Sequence, residues 1–386
     1  MKRFLMCICA SLVVLVGCTE PPVPDIPKTD SEAEGLEEQL LTNVYTPEYY
    51  KTLVPYVSSE TRGLVYSYLP NRYDMDEFES ALMRHSQDYY KIDDVYFQEG
   101  MYLSRDFIKG LLWDDADMTE IKTSNPDYKS YSLNTNDGKM VEINGVNVSP
   151  SYLAYVLEQN YIKIENDSQK LEGITVGLAL NPYQKYTDEA GYEQLTKMDE
   201  EALIKEGKKL AQELLVLLRQ QEGLENVDIM LGLYILEEQS AVIPGNMVAK
   251  TLVEADSNEI KDWTEITEQY YLLPSDEVQT LDYQTAEQFK TFKEVITDYY
   301  PHYYGIIGIA QTINNQIVSI DITINVQFYS LSEKLSFHQL ISSLIEENFM
   351  NHYDINVTVR SSDEIYGILH RGANESEITL KLTNWE

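Results

Sequence analysis

Every cysteine in the chain sits within its first 18 residues: Cys7, Cys9 and Cys18. Whatever folds beyond them does so with no disulfide and no thiolate-bound metal, so apolar cores must hold it. The material is there, since 43% of the 386 residues are hydrophobic, unlike a disordered acidic chain. Charge is lopsided, with 64 acidic against 29 basic side chains and a net charge of −35. So negative a chain repels phosphate backbones and anionic head groups. That argues against a nucleic-acid partner and leaves membrane attachment to an apolar or covalent device.

The first residues supply such a device. In MKRFLMCICASLVVLVGCTE, Lys2 and Arg3 form a short positive segment, followed by an apolar run from Phe4 to Val16. The run is shorter than the ~20 residues of a spanning helix and suits a secretory signal. It closes on Leu15-Val16-Gly17-Cys18, which resembles the lipobox of bacterial lipoproteins. In that pathway the Cys18 thiol takes a diacylglyceryl group and the chain is cut just before it. The expectation is a signal peptide over 1–17 and a mature protein held by acyl chains at Cys18. Its place is the outer face of a Gram-positive cell membrane, where two chains anchor stably and one would not. Residues 18–43 carry Pro21, Pro22, Pro24 and Pro27 and then an acidic run. They read as an extended, self-repelling tether.

The rest mixes helix and strand signals. Asp74 to Arg84 reads as a helix with an acidic first turn. Tyr96-Phe97-Gln98 starts a short strand ending at Gly100. Tyr131 to Asn144 reads as a hairpin around Asn136-Asp137-Gly138. Ser149 and Pro150 predict a helix start, with the helix running through Leu157. Two stretches then share one order of strand, helix, strand. They are Gly173–Leu180, Asp199–Gln220 and Val227–Leu236, and then Ile317–Phe328, Leu335–Phe349 and Asp354–Arg360. A helix precedes each, the second at Thr285–Thr297. The spacing predicts an α+β fold of two related repeats, over 44–255 and 256–386, each a sheet covered by helices.

Most catalytic chemistry lacks its residues. No His-Glu-x-x-His occurs, and His85, His302, His338, His352 and His370 are scattered, so no metal site is expected. Gly-x-Ser-x-Gly and the phosphate-binding glycine loop are missing. Asn134 to Gly138 imitates a calcium loop but has Gly145 where the distal Glu belongs. Neighbouring acids abound, as in Glu237-Glu238 and Glu346-Glu347, but in so acidic a chain they arise by chance. No cofactor and no enzymatic activity are expected. Tyrosine is unusual, 30 against 9 Phe, with doublets such as Tyr89-Tyr90 and Tyr270-Tyr271. It suits either a glycan- or peptide-contacting surface or half-buried strands.

The segments Arg62-Gly63-Leu64-Val65-Tyr66-Ser67, Asn71-Arg72-Tyr73-Asp74-Met75-Asp76-Glu77-Phe78-Glu79 and Tyr96-Phe97-Gln98-Glu99-Gly100 are similar to the CamS family. So are Pro150-Ser151-Tyr152 and Gly173 to Asn181. These are the sex-pheromone precursor lipoproteins of low-GC Gram-positive bacteria, and the resemblance spans nearly all of 44–385. It implies two repeats of one α+β domain. It also implies that the heptapeptide before the lipobox Cys, here Ser11 to Gly17, is released from the cleaved signal peptide and acts on plasmid conjugation. The family's peptide carries Ile and Phe where Val and Leu stand here. Arg62, Tyr66, Arg72, Tyr73 and Arg84 are rare cationic and aromatic groups in the most recognisable segment. Clustered, they would form a binding face for cell-wall glycan, peptide or a surface protein; consumed by internal ion pairs, they would be structural. A wall-active hydrolase would need two carboxylates converging in a cleft.

Overall fold

The computed structural model describes residues 49–64, 70–72, 74–136, 138–166, 168–300 and 303–383. The signal peptide, Cys18 and the tether lie outside them, as do Tyr66 and Tyr73. The fold is α+β. One sheet of seven strands has the order β1-β2-β5-β6-β9-β10-β11 and another of six the order β12 to β17. In the first, β1 is Lys51–Thr52, β2 Tyr96–Glu99, β5 Leu153–Glu165, β6 Ser168–Leu180, β9 Asp228–Ile235, β10 Asn246–Val253 and β11 Thr264–Glu265. Two hairpins stand apart, β3 (Val141–Ile143) with β4 (Val146–Val148), and β7 (Tyr183–Thr187) with β8 (Glu193–Lys197). In the second sheet, β12 is Glu268–Leu273, β13 Tyr303–Ile313, β14 Gln316–Val326, β15 Asp354–Arg360, β16 Ile365–Arg371 and β17 Thr379–Leu382. The described helices are α1 (Met75–Ser86), α2 (Arg105–Leu112), α3 (Asp115–Ser124), α4 (Glu200–Leu218), α5 (Asp276–Leu281), α6 (Tyr283–Tyr299) and α7 (Leu331–Asn348).

The two sheets follow one plan. From β2 the pairings run antiparallel, antiparallel, parallel, antiparallel, antiparallel. From β12 they run the same way. In each sheet one helix, α4 or α7, makes the crossover between the parallel strands. Even a detail repeats: the Asp228 carboxylate accepts the Ala255 amide at 2.8 Å, and Asp354 accepts that of Ala373 at 2.6 Å.

What differs is the opposite face. Counting four residues on from Asp228 and Asp354, the first sheet has Gly177 beside Gly232 and the second has Thr323 beside Thr358. A Cβ on Gly177 would lie 2.7 Å from the Phe78 ring, and one on Gly232 3.1 Å from Leu82. Glycine therefore lets α1 settle directly on the first sheet, which is buried on both faces and reads as a continuous apolar run in GITVGLAL. On the second sheet the same line runs Ile307, Thr323, Thr358, Ile368, with the two isoleucines 40% and 39% exposed. Polar β-branched residues at its centre suit a solvated face.

Local signals set the helix starts. Asp74, Asp199, Asp282 and Ser330 each accept a backbone N–H from the first turn of α1, α4, α6 and α7, as N-caps do. Two expectations fail. The helix from Ser149 does not form: Leu153–Glu165 is a strand, paired on both sides by β2 and β6. Its Tyr, Val and Ile content and those two partners outweigh a local cap signal, and Asn134 pins its first residue by accepting the Leu153 N–H at 2.8 Å. The hairpin turn is not at Asn136–Gly138 but at Asn144-Gly145, whose φ values of 52° and 82° give the two left-handed positions that a tight two-residue turn needs. The Asp115 carboxylate instead accepts the amides of Asn136 and Gly138, at 3.1 and 3.2 Å.

Much of the tyrosine is core. Tyr90 and Tyr161 stack at 4.3 Å with Tyr50 at 5.0 Å, and the Tyr50 hydroxyl donates to the Tyr90 carbonyl at 2.6 Å. The second core is built on Phe289, Phe292, Phe337 and Phe349 and encloses His338, which is fully buried. Nδ1 of His338 donates to the Lys334 carbonyl at 2.6 Å, and Nε2 has no partner among the described residues. Burial holds its pKa below the ordinary 6.5, against the pull of that carbonyl. The folded state thus resists a proton that the unfolded chain accepts, so stability should fall as pH drops below about 6.5. Urea midpoints at pH 7.5 and 5.5 should differ in the native chain, and the gap should shrink in His338→Met.

Candidate functional site

The cleft with the clearest mix of apolar floor and convergent polar groups has a volume of about 240 Å³. It lies between the flank of α1, the loop at Ser59–Gly63 and the first sheet. Phe97 on β2 and Tyr155 and Leu157 on β5 lie in its lining with Met75 from α1, and Glu79, Glu99 and Arg62 bring the charges. The period of α1 puts Glu79 one turn after Met75 on the same flank. The pairing of Glu99 with Gln159 sets the β2 carboxylate opposite it.

The two carboxylates differ. Glu99 accepts the Tyr56 hydroxyl at 2.7 Å and the Ser59 amide at 2.8 Å, and it is ion-paired with Arg62, which also donates to Tyr56. Desolvation pushes Glu99 up, but these donors together hold it below the usual carboxylate value. Glu79 makes no hydrogen bond or salt bridge through its side chain among the described residues. Burial raises its pKa and the negative charges of Glu99 and Asp76 add to the rise, while the Arg62 charge pulls it back. The Tyr155 hydroxyl is pushed up to about 12, first by burial and then by Glu79 and Glu99. Behind the cleft, Glu158 accepts the amides of Met101, Tyr102 and Leu103 at 2.8–3.0 Å. Gly100 is required there, because a Cβ would come within 2.6 Å of the Glu158 Cβ.

Of the marked residues that are described, Arg62 alone lines this cleft. Arg72 clamps the loop after β9, donating to the Ala241 carbonyl and Asp74 at 2.8 Å each. Arg84 lies at the seam between the sheets, 2.6 Å from Glu268 and 3.0 Å from Glu77. Arg62, Arg72 and Arg84 are thus all engaged by internal acceptors. Tyr66, Tyr73, Leu15, Val16, Gly17 and Cys18 are outside the described residues. Glu79, Glu99 and Tyr155 were not singled out as site residues by sequence reasoning. A larger groove of about 590 Å³, bordered by Lys205, Lys208, Glu265 and Asn315, is the more polar and open of the two. Among the described residues no group of three His, Cys, Asp or Glu could hold a metal ion. No described helix is long and apolar enough to cross a membrane.

Comparison with known proteins settles the kinship. The family described as CamS sex pheromone cAM373 precursor matches residues 56–377. The chain belongs to the CamS family. Its fold is that of a crystal structure of a sex pheromone precursor from Lactobacillus salivarius subsp. salivarius UCC118, at 25% identity and a TM-score of 0.71, covering 81% of this chain and 88% of that one. The C-terminal domain of the sex pheromone staph-cAM373 precursor from Staphylococcus aureus has the same fold at 19% identity and a TM-score of 0.65, covering 80% of this chain and 96% of that domain. No curated protein matches the sequence. Within this CamS-family fold, the cleft draws on β2, β5 and α1, the face of the first sheet whose counterpart in the second is open.

Proposed function

We propose that this CamS-family chain is the precursor of a surface lipoprotein, lipidated at Cys18, whose cleaved signal peptide releases the heptapeptide Ser11 to Gly17 as a pheromone-like signal for plasmid conjugation. The observation that carries the reading is the run Leu15-Val16-Gly17-Cys18, placed directly after an apolar segment, in a chain of a sex-pheromone-precursor family. The mature part is a non-enzymatic binding module at the outer face of the cell membrane, reaching toward wall glycan, peptide or a surface protein. What supports the non-enzymatic side is the family, which is described as a pheromone precursor.

Cys18→Ser removes the only thiol at the cut site. The variant is expected to stay at precursor mass or to be shed into the medium, as read by membrane fractionation and mass. A Ser variant found in the membrane at mature mass would contradict lipidation at Cys18.

A further inference from the structure

The charges of the cleft do not balance. Arg62 is taken up by Glu99 and Tyr56, so it offers no free cation to an incoming anion. The carboxamide of Gln159 is used at both ends, donating to the Glu79 carbonyl at 2.9 Å and accepting the Tyr161 hydroxyl at 3.1 Å. What is left is the Glu79 carboxylate beside an apolar hollow in which Tyr155 and Leu157 are 2% and 8% exposed. Glu79 is exposed at the cleft's rim, and the lining sets the carboxylates of Glu79, Glu99 and Glu158 against the one guanidinium of Arg62, so the cleft is net negative and a cation placed there would relieve it. At about 240 Å³ the hollow is below the ~300–1,000 Å³ of a drug-sized pocket, so its occupant is the size of one side chain with its head group.

We propose that this cleft binds a primary ammonium group carried on a small apolar body, with Glu79 as the counter-ion and Met75, Phe97, Tyr155 and Leu157 receiving the body. A free peptide N-terminus with an apolar first residue and the butyl-ammonium arm of a lysine share this chemistry. Glu99 keeps Arg62 from anions and Glu158 is held by three backbone amides, so Glu79 is the carboxylate left to meet a cation. The inference is independent of lipidation at Cys18 and of peptide release, and either can fail without the other.

The test is titration of the full chain in detergent with leucinamide, Nα-acetyl-lysinamide and the uncharged N-acetyl-leucinamide, read on the methyl signal of Met75. At least one ammonium probe should shift that signal saturably, and the stronger of the two names the source of the amine. Glu79→Gln should weaken the binding about tenfold or more at unchanged melting temperature. In the native chain, binding should also weaken as the pH is lowered and Glu79 takes up a proton, a readout that needs no variant. Equal binding of N-acetyl-leucinamide, unchanged affinity in Glu79→Gln, or a Met75 methyl that no ammonium probe moves would overturn the proposal.

Discussion

Alanine in place of Glu268 is expected to destabilise the protein by about 2–3 kcal/mol, below the range for a fully buried ion pair because the Arg84 side chain is 36% exposed. The Glu268 side chain is 1% exposed and accepts from Arg84 at 2.6 Å, from the His85 ring at 3.1 Å and from Gln311. It opens the second sheet, while Arg84 and His85 close α1 on the first, so its charge ties the sheets together. Tyr270 completes the seam by donating to Glu77 at 2.5 Å. Without Glu268, the Arg84 guanidinium keeps only Glu77 and loses its buried counter-charge. Arg84→Met in the same chain should therefore recover part of the loss, and a urea double-mutant cycle reads that coupling. Desolvation pushes the Glu268 carboxyl up, yet His85 and Arg84 together hold it below the ordinary value. The stabilisation is thus present at neutral pH and is lost as pH falls below about 4.5 toward the folded pKa. A Glu268→Ala chain with an unchanged midpoint would mean that the seam does not hold the sheets.

Leucine in place of Gly177 should cost about 1–3 kcal/mol or more, the scale of forced overpacking. A Cβ there is already 2.7 Å from the Phe78 ring and 3.2 Å from Leu82, so α1 must lift. Met75 and Glu79 ride on that helix, so the cleft should open together with the loss of stability. Thr323→Leu sits at the matching position of the second sheet, whose face is open, and is expected to be nearly neutral. The contrast between the two, measured by denaturant midpoint, isolates the close approach of α1 from the substitution itself. Equal effects at both positions would contradict the account of the glycine pair.

Much of this fold could be read locally. Asp74 announces α1 and Asp199 announces α4, because a cap and its helix lie within a few residues. The alternating IVSIDITINVQF reads as a half-buried strand, since one face of β14 is open. Strand β5 could not be read this way. Its Ser149-Pro150 entry imitates a helix start, while the pairings that make it a strand come from β2 and β6. The arginines are conspicuous for their rarity, but the carboxylates that fix Arg62 and Arg84 in the fold include ones 37 and 184 residues away, a distance no local pattern reports. Glu79 and Glu99 are two among 64 acids. Only the register of β2 on β5 and the seat of α1 bring them to one cleft.

One precursor is expected to yield both an anchored lipoprotein and a free peptide. The decisive measurement is mass spectrometry of the membrane fraction and culture supernatant of the producing cell. The expected result is a mature chain beginning at diacylated Cys18 in the membrane and the peptide Ser11–Gly17 in the medium. A membrane-bound chain that still carries its first 17 residues, with no such peptide outside the cell, would contradict it.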